Sequence, residues 1–246
     1  MTQLSRTDPG PAAAAGLTGN LPRPLLPPDC LWEAPIIVLD GTAGAGKSSI
    51  GRGLAMHYQL PYINCGASYR VLALHALRTG VSLQDQDGLA ALLSDFTIDS
   101  RLWVAPDGSV QEQLTFNGED VTDLIRSDAV SMAAAEVAAH DKVHEVLYAR
   151  HRERGRFGCV IDGRMIGKNV FPDSPLKFYI DASLEVRGSR HGNAAAVGVR
   201  DDMDHERLQI PPGAQLVDTS YADTASSVAL LIHLIDEGIR AHAAGR

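Results

Sequence analysis

Between residues 41 and 48 the chain reads Gly-Thr-Ala-Gly-Ala-Gly-Lys-Ser, the spacing G-x-x-x-x-G-K-[ST]. Its glycines let successive backbone N–H groups turn inward, and a helix starting near Lys47 would aim its positive end at the same point. No side chain blocks approach, so the segment is suited to cradling a polyphosphate. Within it Lys47 would bridge the β- and γ-phosphates of ATP. The Ser48 hydroxyl suits Mg²⁺, which neutralises charge as the terminal phosphoryl group moves. The expected ATP-binding set is Gly41, Thr42, Ala43, Gly44, Ala45, Gly46, Lys47, Ser48 and Ser49. An incidental glycine-rich turn would not need the apolar run before it and the helical pattern after it. A second acidic position, Asp162, ends another apolar run; it reads either as the carboxylate that holds the Mg²⁺ water shell with Ser48 or as a cap on the following turn.

Phosphoryl transfer needs an acceptor, and the residues that could hold one are arginines. Arg70 follows Cys65-Gly66-Ala67-Ser68-Tyr69 in the first turns of an expected helix, where a guanidinium can fork onto a phosphate. Arg200, Asp204 and Arg207 stand at i, i+4 and i+7, hence on one face of a helix. That face could close over two phosphates, or it could be a solvated row of ion pairs.

These groups have to be positioned by a scaffold, and the hydrophobic pattern supplies one. Pro35 to Leu39, Gly158 to Ile161, Leu176 to Ile180 and Gln215 to Val217 are apolar runs ending at Asp or Asp-Gly, the signature of buried strands. Helical spacing occupies Ser48–Tyr58, Tyr69–Thr79, Val130–Arg154, Leu184–Arg190 and Val228–Ile239. Alternation of the two predicts an α/β fold, a parallel sheet covered on both faces by helices. Residues 96–121, with a turn at Asp107-Gly108, predict a small antiparallel insert. Residues 1–30 carry six prolines among Gly and Ala, too little apolar surface to offset the ordering entropy; they are expected to form a disordered tail ahead of a domain over 34–246.

Composition narrows the function classes. Of 246 residues, 22 are Lys or Arg and 30 Asp or Glu, a net charge of −8 that disfavours non-specific nucleic-acid binding. Three dispersed cysteines make neither a disulfide framework nor a zinc site, and a reducing cytoplasm is the natural expectation. The apolar runs fall short of a membrane span, and residues 1–30 lack an export signal.

The series Gly41–Ser48, Gly66-Ala67-Ser68-Tyr69-Arg70-Val71-Leu72-Ala73-Leu74, Asn117-Gly118-Glu119-Asp120-Val121, Asp162-Gly163-Arg164, Val170-Phe171-Pro172-Asp173 and Arg200-Asp201-Asp202-Met203-Asp204 resembles the bacterial cytidylate kinase family. These are P-loop nucleoside monophosphate kinases that phosphorylate CMP or dCMP. The likeness runs from about Ile36 to the C-terminal helix. It implies a parallel-sheet core, a monophosphate-binding insert, a mobile lid (here about 187–207), ATP and Mg²⁺, small-molecule substrates and a monomer. By position, Arg70, Arg164 and Arg207 resemble the arginines that grip the acceptor phosphate and the moving phosphoryl group, with Lys47, Arg164 and Arg207 as the catalytic set. Arg200 and Asp204 resemble the family's sugar contacts.

Three departures bear on the acceptor. Where the family reads cytosine with Ser, Arg and Asp, this chain has Ala135, His144 and Met165. Alanine offers no side-chain hydrogen bond, methionine is a poor acceptor for an amino group, and histidine is no permanent fork. Asn64-Cys65 replaces the family's Asp-Ser, with Cys65 either a packed small residue or a redox-sensitive thiol. The stretch between Arg190 and Arg200 is shorter than the family's lid arm. Three functions follow: a CMP/dCMP kinase, a diverged kinase for another small phosphorylated acceptor, or a nucleotide-binding module without catalysis.

Overall fold

The computed structural model describes residues 34–192, 197, 198, 201 and 208–244. The expected tail 1–30 lies outside them, as do Arg200, Asp204, Arg207 and most of the expected lid. The described chain is an α/β fold built on β1 (Ile36–Gly41), β2 (Tyr62–Asn64), β6 (Cys159–Asp162), β7 (Leu176–Asp181) and β8 (Gln215–Asp218), parallel in the order β2-β6-β1-β7-β8. A separate antiparallel sheet joins β3 (Ile98–Val104), β4 (Val110–Phe116) and β5 (Glu119–Asp120). The central strand β1 is sheltered on both faces, and Ile37, Val38 and Leu39 are fully buried. A period-2 polar alternation is therefore absent, as a doubly covered parallel sheet requires.

On one face, α1 (Lys47–Tyr58) and the C-terminal helix (Thr224–Ala244) bury Ile50, Leu54, Leu231 and Ile235 against Ile37, Leu39 and Ile180. On the other, Val38, Ile63 and Ile161 meet Ile166 of the short helix α6 (Ile166–Asn169). A second core lies under the insert, where α2 (Cys65–Thr79), α3 (Gln86–Leu92), α4 (Asp128–Val137) and α5 (Asp141–Gly155) bury Leu72, Leu89, Phe116 and Leu147. The insert is tied back to α1 where Arg52 Nε donates to the Val110 carbonyl at 3.0 Å.

The helix expected over Val130–Arg154 is two helices. It breaks at Ala138-Ala139-His140, where His140 Nε2 hydrogen-bonds the Leu83 carbonyl at 2.7 Å and fixes the corner. No proline or glycine marks that break. Similarly α2 begins at Cys65, four residues before its expected start, because the Asn64 side chain caps it by accepting from Ala67 N.

Helix α5 buries His151, which has no ionic partner among the described residues. His151 is 2% exposed, and burial, with the Arg154 charge adding to it, pushes its pKa from 6.5 down to about 4. The unfolded chain takes up a proton there near pH 6.5, while the folded chain resists until near pH 4. Stability contributed by the neutral ring is thus lost as pH falls through this window, by about 2 kcal/mol at pH 5. His151→Gln should therefore lose less stability than the parent between pH 7 and pH 5, as read from urea midpoints. Identical pH slopes would show that another group takes up the proton.

Candidate active site

The register of the parallel sheet places the functional segments side by side at the carboxyl ends of the strands, the usual binding edge of an open α/β sheet. Asn64 pairs with Asp162, Leu39 also pairs with Asp162, and Gly41 pairs with Ile180. The chain leaves β1 into the loop 41–46, β2 into the amino end of α2 with Arg70, and β6 into Gly163-Arg164.

Loop 41–46 folds tightly for local reasons. Gly41 has φ +138°, and a Cβ there would lie 1.9 Å from the Ile180 carbonyl oxygen, so no other residue fits. Gly46 caps α1 in the left-handed region at φ 92°. Outside the loop, Arg187 of α7 (Leu184–His191) donates to the Ala43 carbonyl at 3.1 Å, and Thr219 Oγ1 donates to the Ala45 carbonyl at 2.9 Å. Since C=O and N–H of a trans peptide point opposite ways, these bonds turn the N–H groups of Gly44 and Gly46 into the concavity. Arg190 holds Thr219 by Oγ1 and by its carbonyl, and Thr42 Oγ1 donates to Asp181 Oδ1 at 2.6 Å. Lys47 Nζ reaches back over the loop to the carbonyls of Gly41 and Thr42, at 2.9 and 2.6 Å.

Ser48 Oγ donates to Asp162 Oδ2 at 2.7 Å, joining two residues 114 positions apart. Asp162 is 3% exposed, and its Oδ1 has no hydrogen-bond partner among the described residues. Burial pushes its pKa up, while the Ser48 hydroxyl and the Lys47 charge act in the opposite direction. An orphaned buried carboxylate oxygen beside a serine hydroxyl is a fitting donor set for a hydrated Mg²⁺. The oxygens of Asp40, likewise buried and pushed up, accept from Ile166 N and Gly167 N at 2.8 and 2.7 Å. Asp40 thereby fixes the turn that carries Arg164.

The residues expected on the acceptor side are held differently. Arg70 Nη1 donates to the Ile125 carbonyl at 3.1 Å, which ties α2 to the 3₁₀ turn Leu124–Arg126. Arg164 is half-buried and its charge reaches Tyr179. Of the positions matching the family's base readers, Ala135 is exposed on α4, His144 Nδ1 bonds Tyr69 Oη at 2.5 Å with its ring stacked on Tyr148, and Met165 sits at φ 59°. Cys65 is 3% exposed, so near Gly163 that a Cβ added there would lie 3.0 Å from its own, and burial pushes its thiol well up, so it is a packed residue and not a reactive one. Asp40, Asp181, Arg187, Arg190 and Thr219 were not singled out by sequence reasoning, and Thr42 was expected only as part of the phosphate loop. Only the strand-ending Asp-Gly at 40–41 carried a local signal.

Residues 37–237 match the model of the cytidylate kinase family. The chain belongs to that family. A cytidylate kinase of Geobacillus thermodenitrificans is 37% identical over 82% of this chain and 97% of its own length. That of Salmonella arizonae is 38% identical over 72% and 83%, and that of Pectobacterium atrosepticum 42% identical over 64% and 68%. This member of the cytidylate kinase family is thus a phosphotransferase with nucleotide substrates. Among its described residues, no helix is long and apolar enough to cross a membrane.

Proposed function

We propose that the chain transfers the terminal phosphoryl group of ATP to CMP or dCMP, as a monomer that binds small molecules and no nucleic acid. The observation that carries the reading is the Ser48–Asp162 pair at 2.7 Å beneath a complete phosphate loop. Bound through Ser48 and, across its water shell, Asp162, Mg²⁺ would supply charge neutralisation at the transferring group. The loop N–H groups and Lys47 hold the phosphates of the donor. Arg70 and Arg164 hold the acceptor phosphate, joined by Arg207 from outside the described residues, where Arg200 and Asp204 contact the acceptor's sugar. The acceptor phosphate is already an oxyanion, so no general base is required and positioning accomplishes the transfer.

Ala135, His144 and Met165 favour a second reading in which another phosphorylated acceptor is preferred. ADP release with ATP and Mg²⁺ against CMP, dCMP, UMP, AMP, GMP and dTMP separates the two. Turnover of CMP and dCMP above the rest is expected; turnover of another acceptor alone would establish the second reading. Met165→Asp belongs in the same assay. Aspartate tolerates positive φ better than methionine and can accept from an amino group, so kcat/KM for CMP should rise about tenfold, the worth of one added hydrogen bond.

A further inference from the structure

We propose that a cleft between α2, α5 and the start of β3 is a second ligand site, for a phosphate-bearing small molecule no larger than a nucleoside monophosphate. The cleft has a volume of about 290 Å³ and lies behind α2, on the Ser68 side of that helix. Ser68 is buried, whereas its neighbours Tyr69 and Arg70 are only half-buried.

His151 is buried in this cleft, and neither of its ring nitrogens has a hydrogen-bond partner among the described residues. Polar atoms buried this deeply are nearly always satisfied. A neutral imidazole presents one donor and one acceptor, which suits a ligand carrying both. The cleft's two arginines differ in availability. Arg150 closes a wall by donating to the carbonyls of Leu93, Ser94 and Phe96. Arg154 is exposed at the mouth, and its charge reaches His151, Cys65 and Cys159. It is the cation for an anionic group. Asp99, exposed at the same mouth, disfavours a bare polyanion and would accept from a hydroxyl or amino group of the ligand. Phe96 contributes an apolar flank. An exposed cation at Arg154, the Asp99 carboxylate, a neutral donor–acceptor ring and an apolar wall together match a phosphate ester with a polar body. A ligand there would bear on α2, the helix that carries Arg70.

Ring ¹⁵N–¹H correlation spectra of the full chain test the site directly, with His151 assigned from His151→Gln. Titrating inorganic phosphate, and separately CMP, should move the His151 resonances saturably. The phosphate response should persist in Lys47→Met, and the CMP response in Arg70→Gln. Both should weaken at least tenfold in Arg154→Gln, an exposed substitution. A response to CMP alone that is lost in Arg154→Gln would assign the site to nucleotides; a response to phosphate alone would assign it to the free anion. Resonances unmoved by either probe, or moved equally in Arg154→Gln, or moved only while Lys47 and Arg70 are intact, would overturn the proposal.

Discussion

Lys47→Met is expected to lower kcat/KM for CMP by roughly 10²–10³ while lowering the melting temperature by only a few degrees. The side chain is anchored through Nζ to the carbonyls of Gly41 and Thr42, so its charge already stands over the loop proposed to hold the phosphates. Methionine keeps the aliphatic stem and loses the two hydrogen bonds and the charge. The hydrogen bonds cost about 1 kcal/mol each at most sites. Loss of the charge also leaves the buried Asp40 and Asp162 less compensated, since Lys47 holds both carboxyls down against the effect of burial. These structural costs leave the fold largely populated at 25 °C. The electrostatic loss falls on the transferring group, beside a loop whose shape Arg187 and Thr219 hold from outside. Steady-state ADP release beside a thermal melt separates the two effects. A variant with the parent's rate would show that Lys47 does not act on the phosphates.

The sequence made the loop, Ser48 and Asp162 legible because their signals are local: fixed spacing for the loop, and an apolar run with a terminal acid for the carboxylate. Strands β1, β6, β7 and β8 were legible for the same reason. Strand β2 was not, because three residues after Pro61 are too short for any periodicity. Helix α3 hid in the polar run at 84–88, although the Asp85 side chain caps it at Gly88 N in the usual way. The clamps on the loop were beyond reach altogether. Arg187 meets Ala43 from 144 positions away, and Thr219 meets Ala45 from 174. Such contacts depend on which strands become neighbours, and the order β1-β7-β8 that supplies them is a property of the assembled sheet. The positions matched to the family's base readers come from family register alone, which carries nothing of their environment. Nothing local to His144 shows that its ring would be engaged by Tyr69 and stacked on Tyr148.

Asp162→Asn is expected to separate activity from stability in opposite directions. The asparagine carbonyl can still accept from Ser48 Oγ, so the 2.7 Å bond and the local packing survive. The buried charge does not, and removing one that burial already disfavours should leave stability unchanged or raised by about 1 kcal/mol. Activity should fall by about 10²-fold, since the neutral amide holds a hydrated Mg²⁺ weakly and an amide nitrogen takes the place of one carboxylate oxygen. The loss should be deepest at low Mg²⁺ and partly recovered as Mg²⁺ is raised. A dependence on pH should disappear with it. Because burial lifts the Asp162 pKa, the parent loses the charged form at a higher pH than an ordinary carboxylate would, and its rate should fall there as pH drops. The asparagine variant has no such proton to gain. Ser48→Ala in the Asp162→Asn background should cost much less than Ser48→Ala alone, as expected of two groups that act through one ion. A Mg²⁺ dependence identical to the parent's would instead make Asp162 a cap on the turn after β6.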